Sequence, residues 1–460
     1  MAQTLNDPDG LVNLQNLARE VERSAPDNKS VPIVFVPGFS GWGAPLFGAL
    51  NYFGGVIDIP KLLVDRGYTV IVTPVAPIST NWERACELYR QLTFGQFSTV
   101  NSTTNSIKEV YDVDVNYGDY FAEVHGPEQT RTTGRRRAIL FSNSPDFRNW
   151  TWGPDHKVYF VCHSQGGNTV RYLISLIANS AGTCHPTYFS QAGRDNWTIS
   201  IATLRTPHKE TTIINVLESF LARARNEAVG LDMLVHMEAV DGPVWKWLNS
   251  DNNGLYDNSI EGVYDLSQKG QKAISSFPIR IENFVRGVMG MGNIPIVGWL
   301  MKKIINAFTS IGWEFVTTEA SFRSFGQWVT EEVITRILQE RGYHLVLPNP
   351  GKYNPQKDVI PILLPTVYAM GGQKLTRAQK DLLGPNLGDW YQNDGIVNTE
   401  SMPGPHGCVR SINSLPDFDF SSPGKRGIYW HLGVNDQMDH ADEIGIFINA
   451  DTVRLRIPCW

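Results

Sequence analysis

Along its first half the chain alternates short, near-continuous apolar runs with amphipathic segments. Val31–Val36 reads as a buried strand that ends in the glycine-rich loop 37–42, Ile57–Arg66 has helical period, and Tyr68–Pro74 is a second apolar strand. A short amphipathic helix over Leu14–Arg23 precedes them, and further strands are predicted at Lys157–Cys162, Thr198–Ala202 and Trp313–Thr318. Strands that are apolar throughout are covered on both faces, so the pattern predicts an α/β chain with a mostly parallel sheet flanked by helices. From about Thr211 to Ser310 simple alternation stops. Ile213–Ala228 is amphipathic at helical spacing, and Ile281–Phe308 is apolar and partly cationic, with Met289, Met291, Trp299 and Met301. The stretch 211–310 is therefore expected to be a helical cap or lid inserted in one domain spanning 1–460, with plain packing helices as the competing reading.

The run with the sharpest chemical content is Val158–His163, which leads through Ser164-Gln-Gly-Gly167 into the amphipathic stretch Asn168–Ile177. A strand, a tight turn carrying one serine and a helix form the context that a nucleophile elbow requires. The turn lifts the Ser164 hydroxyl clear of the backbone, Gly166 allows the helix to pack behind it, and the next N–H, that of Gln165, faces a developing oxyanion. Acyl transfer is the reaction class this predicts. The usual first glycine of the elbow is Cys162 here, a small side chain.

Composition narrows the field. The 460 residues carry a net charge of -6 from 40 Lys plus Arg against 46 Asp plus Glu, and the one basic run, Arg135–Arg137, is no footprint for nucleic acid. Hydrophobic content of 42% and aromatic content of 11% are those of a globular protein with a sizeable core. Five dispersed cysteines form no Cys-x-x-Cys pair, and the odd count leaves at least one free thiol. The longest uncharged apolar stretch, Gly287–Met301, has 15 residues and falls short of the roughly 20 that span a bilayer. Sequons at Asn28, Asn101, Asn149 and Asn196 lean toward a secreted eukaryotic protein, and the polar start, which lacks the apolar core of a signal peptide, reads as that of a mature form.

A serine nucleophile needs a base and an acid to orient it. In hydrolases built around such an elbow the chain order is serine, acid, histidine, which leaves His406, His431 and His440. His440 stands in the polar, loop-like Gln437–Ile444, whereas His431 lies in the strand-like Ile428–Leu432. Asp394, in the turn Asn393-Asp-Gly395, is the acid of choice over Asp436 and Asp439, which lie too close to His440 in sequence. The second oxyanion donor is expected from the 37–42 loop, at the Phe39 N–H.

Several of these segments together resemble the thermoalkalophilic bacterial lipases of family I.5 within the α/β-hydrolase superfamily. The shared stretches are Pro32–Val34 with Gly38–Gly43, Asn81–Glu87, His163–Gly167, Thr206–His208, Tyr264–Ser267, Asn393–Thr399 with Ser401-Met402, and Asp439-His440, spanning about Val31 to Ile446. The resemblance implies an α/β-hydrolase fold, a triad of Ser164, Asp394 and His440, and oxyanion donors at Phe39 and Gln165. It departs at the metals. Glu83, Phe121 and Pro127 stand where those lipases have zinc ligands and the last aspartate has no clear counterpart near Glu261, so zinc is expected to be absent. Near His440, Asp442 or Glu443 offers oxygen but Phe447 takes the second acidic position, which disfavours calcium. Phe277–Ile311 is extra relative to that family.

The resemblance thus implies a triacylglycerol lipase acting on ester lipid at an oil–water interface, without a cofactor, nucleic acid, membrane span or obligate protein partner. Esterase or polyester-hydrolase activity, or a non-catalytic lipid-binding role for the same fold, are the alternatives.

Overall fold

The structure, a computed structural model, describes residues 16, 29–39, 52–54, 58–76, 79–94, 97–100, 107–108, 111–118, 132–136, 138–147, 149–215, 363–383, 390–405, 409–411, 429–431, 439–441 and 444. Most of the expected 211–310 cap and the strand predicted at Trp313–Thr318 lie outside them, as does all but one residue of the helix predicted over Leu14–Arg23.

The strands of the main sheet are β1 (Ile33–Val36), β2 (Val70–Val72), β3 (Ser98–Val100), β4 (Ile107–Lys108), β7 (Ile139–Phe141), β8 (Val158–His163) and β9 (Thr198–Leu204). A separate hairpin-like pair is formed by β5 (Tyr111–Asn116) and β6 (Thr132–Arg136). The seven-stranded sheet runs β4-β3-β7-β2-β1-β8-β9. Its heart, β2-β1-β8-β9, is parallel throughout and β3 pairs with β7 in parallel, while β7 meets β2 and β4 meets β3 antiparallel, so among the described residues the sheet is mostly parallel, as the pattern predicted, with two antiparallel pairings. The three residues Ile139–Phe141 are too few to declare a direction from sequence.

Alternate residues of the central strands feed two cores, as the two-residue period of a strand demands. Val34, Val36, Ile71, Phe160 and Cys162 face one way. There they meet α2 (Asn81–Thr93) through Trp82, Ala85 and Leu88, and α3 (Gln165–Asn179) through Val170, Leu173 and Ile177. Phe35, Val70 and Val72 face the other way, onto Tyr52, Phe53 and the Ile59 and Leu63 side chains of α1 (Ile59–Asp65). Each large apolar side chain so buried is worth about 1.5–3 kcal/mol, and coverage on both faces explains why these strands read as unbroken apolar runs.

The helix starts are written locally. Asp58 caps α1 by accepting the Lys61 N–H at 2.9 Å, and Thr80 caps α2 by accepting that of Glu83 at 3.3 Å. The second cap turns α2 into the sheet beside the elbow, and that helix buries Glu83, Arg84, Glu87 and Gln91 along with its apolar residues.

Candidate active site

Ser164 sits between β8 and α3 with φ 53° and ψ -131°, a conformation costing roughly 1–3 kcal/mol in a residue that bears a Cβ. The surroundings hold it there. Its N–H donates to the Leu204 carbonyl of β9 at 2.9 Å, its carbonyl accepts the Gly167 N–H at 3.1 Å, and Gly166 lies so close under the Val36 and Pro37 carbonyl oxygens that a Cβ would strike both. On the other side a Cβ on Gly38 would lie 2.5 Å from that of Ser164, so only glycine lets the loop after β1 approach the serine.

Asp394 and His440 are far apart in sequence and are brought into contact. The His440 Nδ1–H donates to Asp394 Oδ2 at 2.8 Å, and the His440 backbone N–H donates to the Asp394 carbonyl at 3.1 Å. The other carboxylate oxygen accepts the N–H groups of Ile396 at 3.0 Å and Val397 at 2.8 Å, the geometry of an Asx turn that Asn393-Asp-Gly395 favours. Arg205 Nη1 donates to the oxygen already held by His440, at 3.2 Å. Burial alone raises the Asp394 carboxyl. The His440 ring, its hydrogen bond, the Arg205 charge and the Val397 N–H outweigh that and hold the carboxyl well below the usual carboxylate range.

The acid turn is fastened to the segment that follows β9. Thr211 Oγ1 donates to the Ile396 carbonyl, Asn398 Oδ1 accepts the Thr212 N–H at 2.8 Å, and the His208 N–H donates to the Ser401 carbonyl at 3.1 Å. Lys209 and Glu400 form a part-buried ion pair at 2.8 Å. The segment after β9 leaves from the carboxyl end of a parallel strand, as the Ser164 turn does after β8, the end at which α/β sheets place their sites.

His440 lies against the elbow through His163, whose Nε2–H donates to the His440 carbonyl at 2.9 Å and whose ring centroid is 4.5 Å from that of His440. Among the described residues Ser164 Oγ makes no hydrogen bond, so the link from serine to imidazole is open in this state; such bonds often close only with substrate bound. The Gln165 N–H, first in α3, and the Phe39 N–H, in the loop after β1, likewise meet no acceptor among the described residues. Gln165 is anchored through its side-chain amide, which donates to the Ser79 carbonyl at 3.1 Å.

Of the other sequence candidates, His431 falls in β11 (Tyr429–His431), paired in parallel with β10 (Val409–Ser411), as a strand position should. Asp439 is buried and accepts the Ala441 N–H at 2.9 Å. His406, Asp436, Asp442, Glu443 and Phe447 lie outside the described residues, as do Phe121, Pro127 and Glu261. Glu83, the one zinc position that is described, is buried on α2, and no cluster of three His, Cys, Asp or Glu suited to a metal occurs among the described residues. Cys162 is buried beneath the elbow, where burial pushes its thiol well up, so it stays a neutral, packed group. Arg205 and Tyr52 were not legible in advance. The one signal for Arg205 was its place at the carboxyl end of a parallel strand.

Two buried histidines set an acid limit on the fold. Burial, with the neighbouring His440, holds His163 well below the ordinary histidine value, and burial with the Arg171 and Lys209 charges does the same for His208. Below the unfolded value of about 6.5 the unfolded chain binds protons that the folded chain refuses, so stability is full above that pH and is lost as pH falls. Asp394 adds a loss in the same direction only below about pH 4. The Tm is expected to drop between about pH 7 and pH 5.5, and a Tm that rises on acidification through that window would contradict it.

No known family profile matches the chain. It is similar to a lipase of Staphylococcus hyicus, with 27% identity over 287 residues, 54% of this chain and 38% of that protein. It is also similar to a lipase of Staphylococcus epidermidis, with 27% identity over 440 residues, 92% of this chain and 51% of that protein. The chain thus spans about half, or less, of the length of these curated relatives. Among solved structures, lipase 1 from Pelosinus fermentans superposes with a TM-score of 0.47 and 21% identity, covering 92% of this chain and 95% of that one.

Proposed function

We propose that the chain is a serine carboxylester hydrolase of the α/β-hydrolase fold, a lipase that cleaves triacylglycerols through an acyl-enzyme. The observation that carries this reading is the buried Asp394–His440 hydrogen bond set against a serine held in the strained strand-to-helix turn. The sequence similarity to staphylococcal lipases supports it, and a finer place near the family I.5 lipases, without their zinc, is part of the same proposal.

In this mechanism His440 takes the Ser164 proton as Oγ attacks the ester carbonyl, while Asp394 holds the Nδ1–H tautomer and stabilises the imidazolium. The tetrahedral oxyanion is received by the Phe39 and Gln165 N–H groups, which meet no acceptor among the described residues. Collapse expels the alcohol, which takes its proton from His440. Water, deprotonated by His440, then attacks the acyl-enzyme and releases the fatty acid and Ser164. Arg205, which donates to the same carboxylate oxygen, adds its charge to the effect of His440 in keeping Asp394 ionised.

The segment 211–310, most of which lies outside the described residues, is proposed as a helical lid whose apolar face meets lipid, and the enzyme as a secreted one working at the oil–water interface. The test is hydrolysis of triglycerides from tributyrin to triolein, as monomers and as emulsions, with and without chelator. Turnover that rises on passing to emulsion and survives chelation is expected. Activity confined to dissolved short esters would replace lipase with esterase, and no hydrolysis of any ester would end the proposal.

A further inference from the structure

We propose that Tyr52 is a positioning residue for this hydrolysis: its hydroxyl, held between the Gly38 N–H and His163 Nδ1, locks the oxyanion loop and the His440 turn to the elbow as one unit.

The inference rests on the serine-hydrolase reading and on a continuous run of buried hydrogen bonds. The Gly38 N–H donates to Tyr52 Oη at 3.0 Å, and Tyr52 Oη lies 2.7 Å from His163 Nδ1. On the far side of the same ring, Nε2 faces the His440 carbonyl, which can only accept, so Nε2 carries the proton. Neutral His163 then presents a bare Nδ1, and the Tyr52 hydroxyl must be its donor. From His440 the run continues through its N–H to the Asp394 carbonyl at 3.1 Å. One hydroxyl therefore joins the residue preceding Phe39, the residue preceding Ser164 and the backbone of the base.

Three features suit Tyr52 to this task. Burial pushes its phenol well above the ordinary value, although the Gly38 N–H and the Arg84 charge pull the other way, so it remains a donor at any working pH. Its ring is wedged against Phe53, with centroids 5.0 Å apart, in the core that holds Phe35. The loop it grips is held from the opposite side by Arg84, which donates to the Gly38 carbonyl at 3.2 Å and to the Pro37 carbonyl. With both carbonyls turned to Arg84 and the Gly38 N–H turned to Tyr52, the Phe39 N–H is the next donor along the loop and meets no acceptor among the described residues.

Tyr52→Phe keeps the ring and removes only the hydroxyl. On a soluble p-nitrophenyl ester, with turnover counted per site titrated by a serine phosphonate, kcat is expected to fall roughly 10- to 100-fold with KM changed less than about two-fold. A purely structural tyrosine would lower Tm and leave turnover per titrated site alone. His163→Gln retains a donor toward the His440 carbonyl and loses the acceptor for Tyr52, so it should show the same kcat loss, and the double variant should be no worse than the poorer single. Wild-type turnover per titrated site in Tyr52→Phe, or losses that multiply in the double variant, would overturn the proposal. Should Tyr52→Phe not fold, the kcat of His163→Gln decides in the same sense. A wild-type chain that neither takes the phosphonate nor cleaves esters would instead sink the hydrolase reading itself.

Discussion

Ser164→Ala is expected to lower ester turnover by roughly 10⁶-fold, the scale seen when the nucleophile of such a unit is removed, while leaving the fold in place. The reason for both halves is local. Oγ makes no hydrogen bond among the described residues, so its loss leaves no partner stranded. The turn is held by the Ser164 N–H and carbonyl and by the closeness of Gly166, none of which alanine disturbs. A stability change within about 0.5 kcal/mol is expected from urea unfolding, alongside loss of phosphonate labelling. Near-wild-type hydrolysis in this variant would refute the assignment of the nucleophile.

Asp394→Asn is expected to damage both chemistry and fold. The amide preserves shape but not charge, so the His440 tautomer is no longer fixed and the imidazolium loses its counter-ion. A kcat loss of roughly 10⁴-fold is the scale for this change in other triads. Stability should fall too, because Arg205 then loses its buried ion pair with the carboxylate. Adding Arg205→Met should return much of that stability and none of the turnover. If the double variant recovers activity along with stability, Asp394 is a structural anion and not the orienting acid.

The elements legible from the chain were those whose neighbours in sequence are also their reason. The expected strands at Val31–Val36, Tyr68–Pro74, Lys157–Cys162 and Thr198–Ala202 match β1, β2, β8 and β9 to within a few residues, the first three because burial on both faces writes a near-continuous apolar run and β9, which is partly exposed, through its β-branched Thr and Ile residues. The short strands β3, β4 and β7, unlike β2, were not read from the sequence, and the antiparallel entry of β7 is a matter of connection, not composition. The Asn81–Thr93 helix is amphipathic at helical spacing, but its polar stripe of Glu83, Arg84, Glu87 and Gln91 is buried with the rest, so the interior place of that face comes from the tertiary structure and not from the pattern.

The same division holds at the site. Residue type, chain order and turn chemistry were enough to single out Ser164, Asp394 and His440, since an elbow and an Asx turn are built from adjacent residues. The partners that tune them are not adjacent to anything they touch: Arg205 meets a carboxylate 189 positions away, and His163 meets the His440 carbonyl across 277. A hydrogen bond between remote residues leaves no period or spacing in the chain, because it depends on how strands and loops stack after the core has formed. Sequence alone therefore singled out the groups proposed to carry the chemistry, and the tertiary structure decided what holds them, through buried polar contacts between segments remote in the chain.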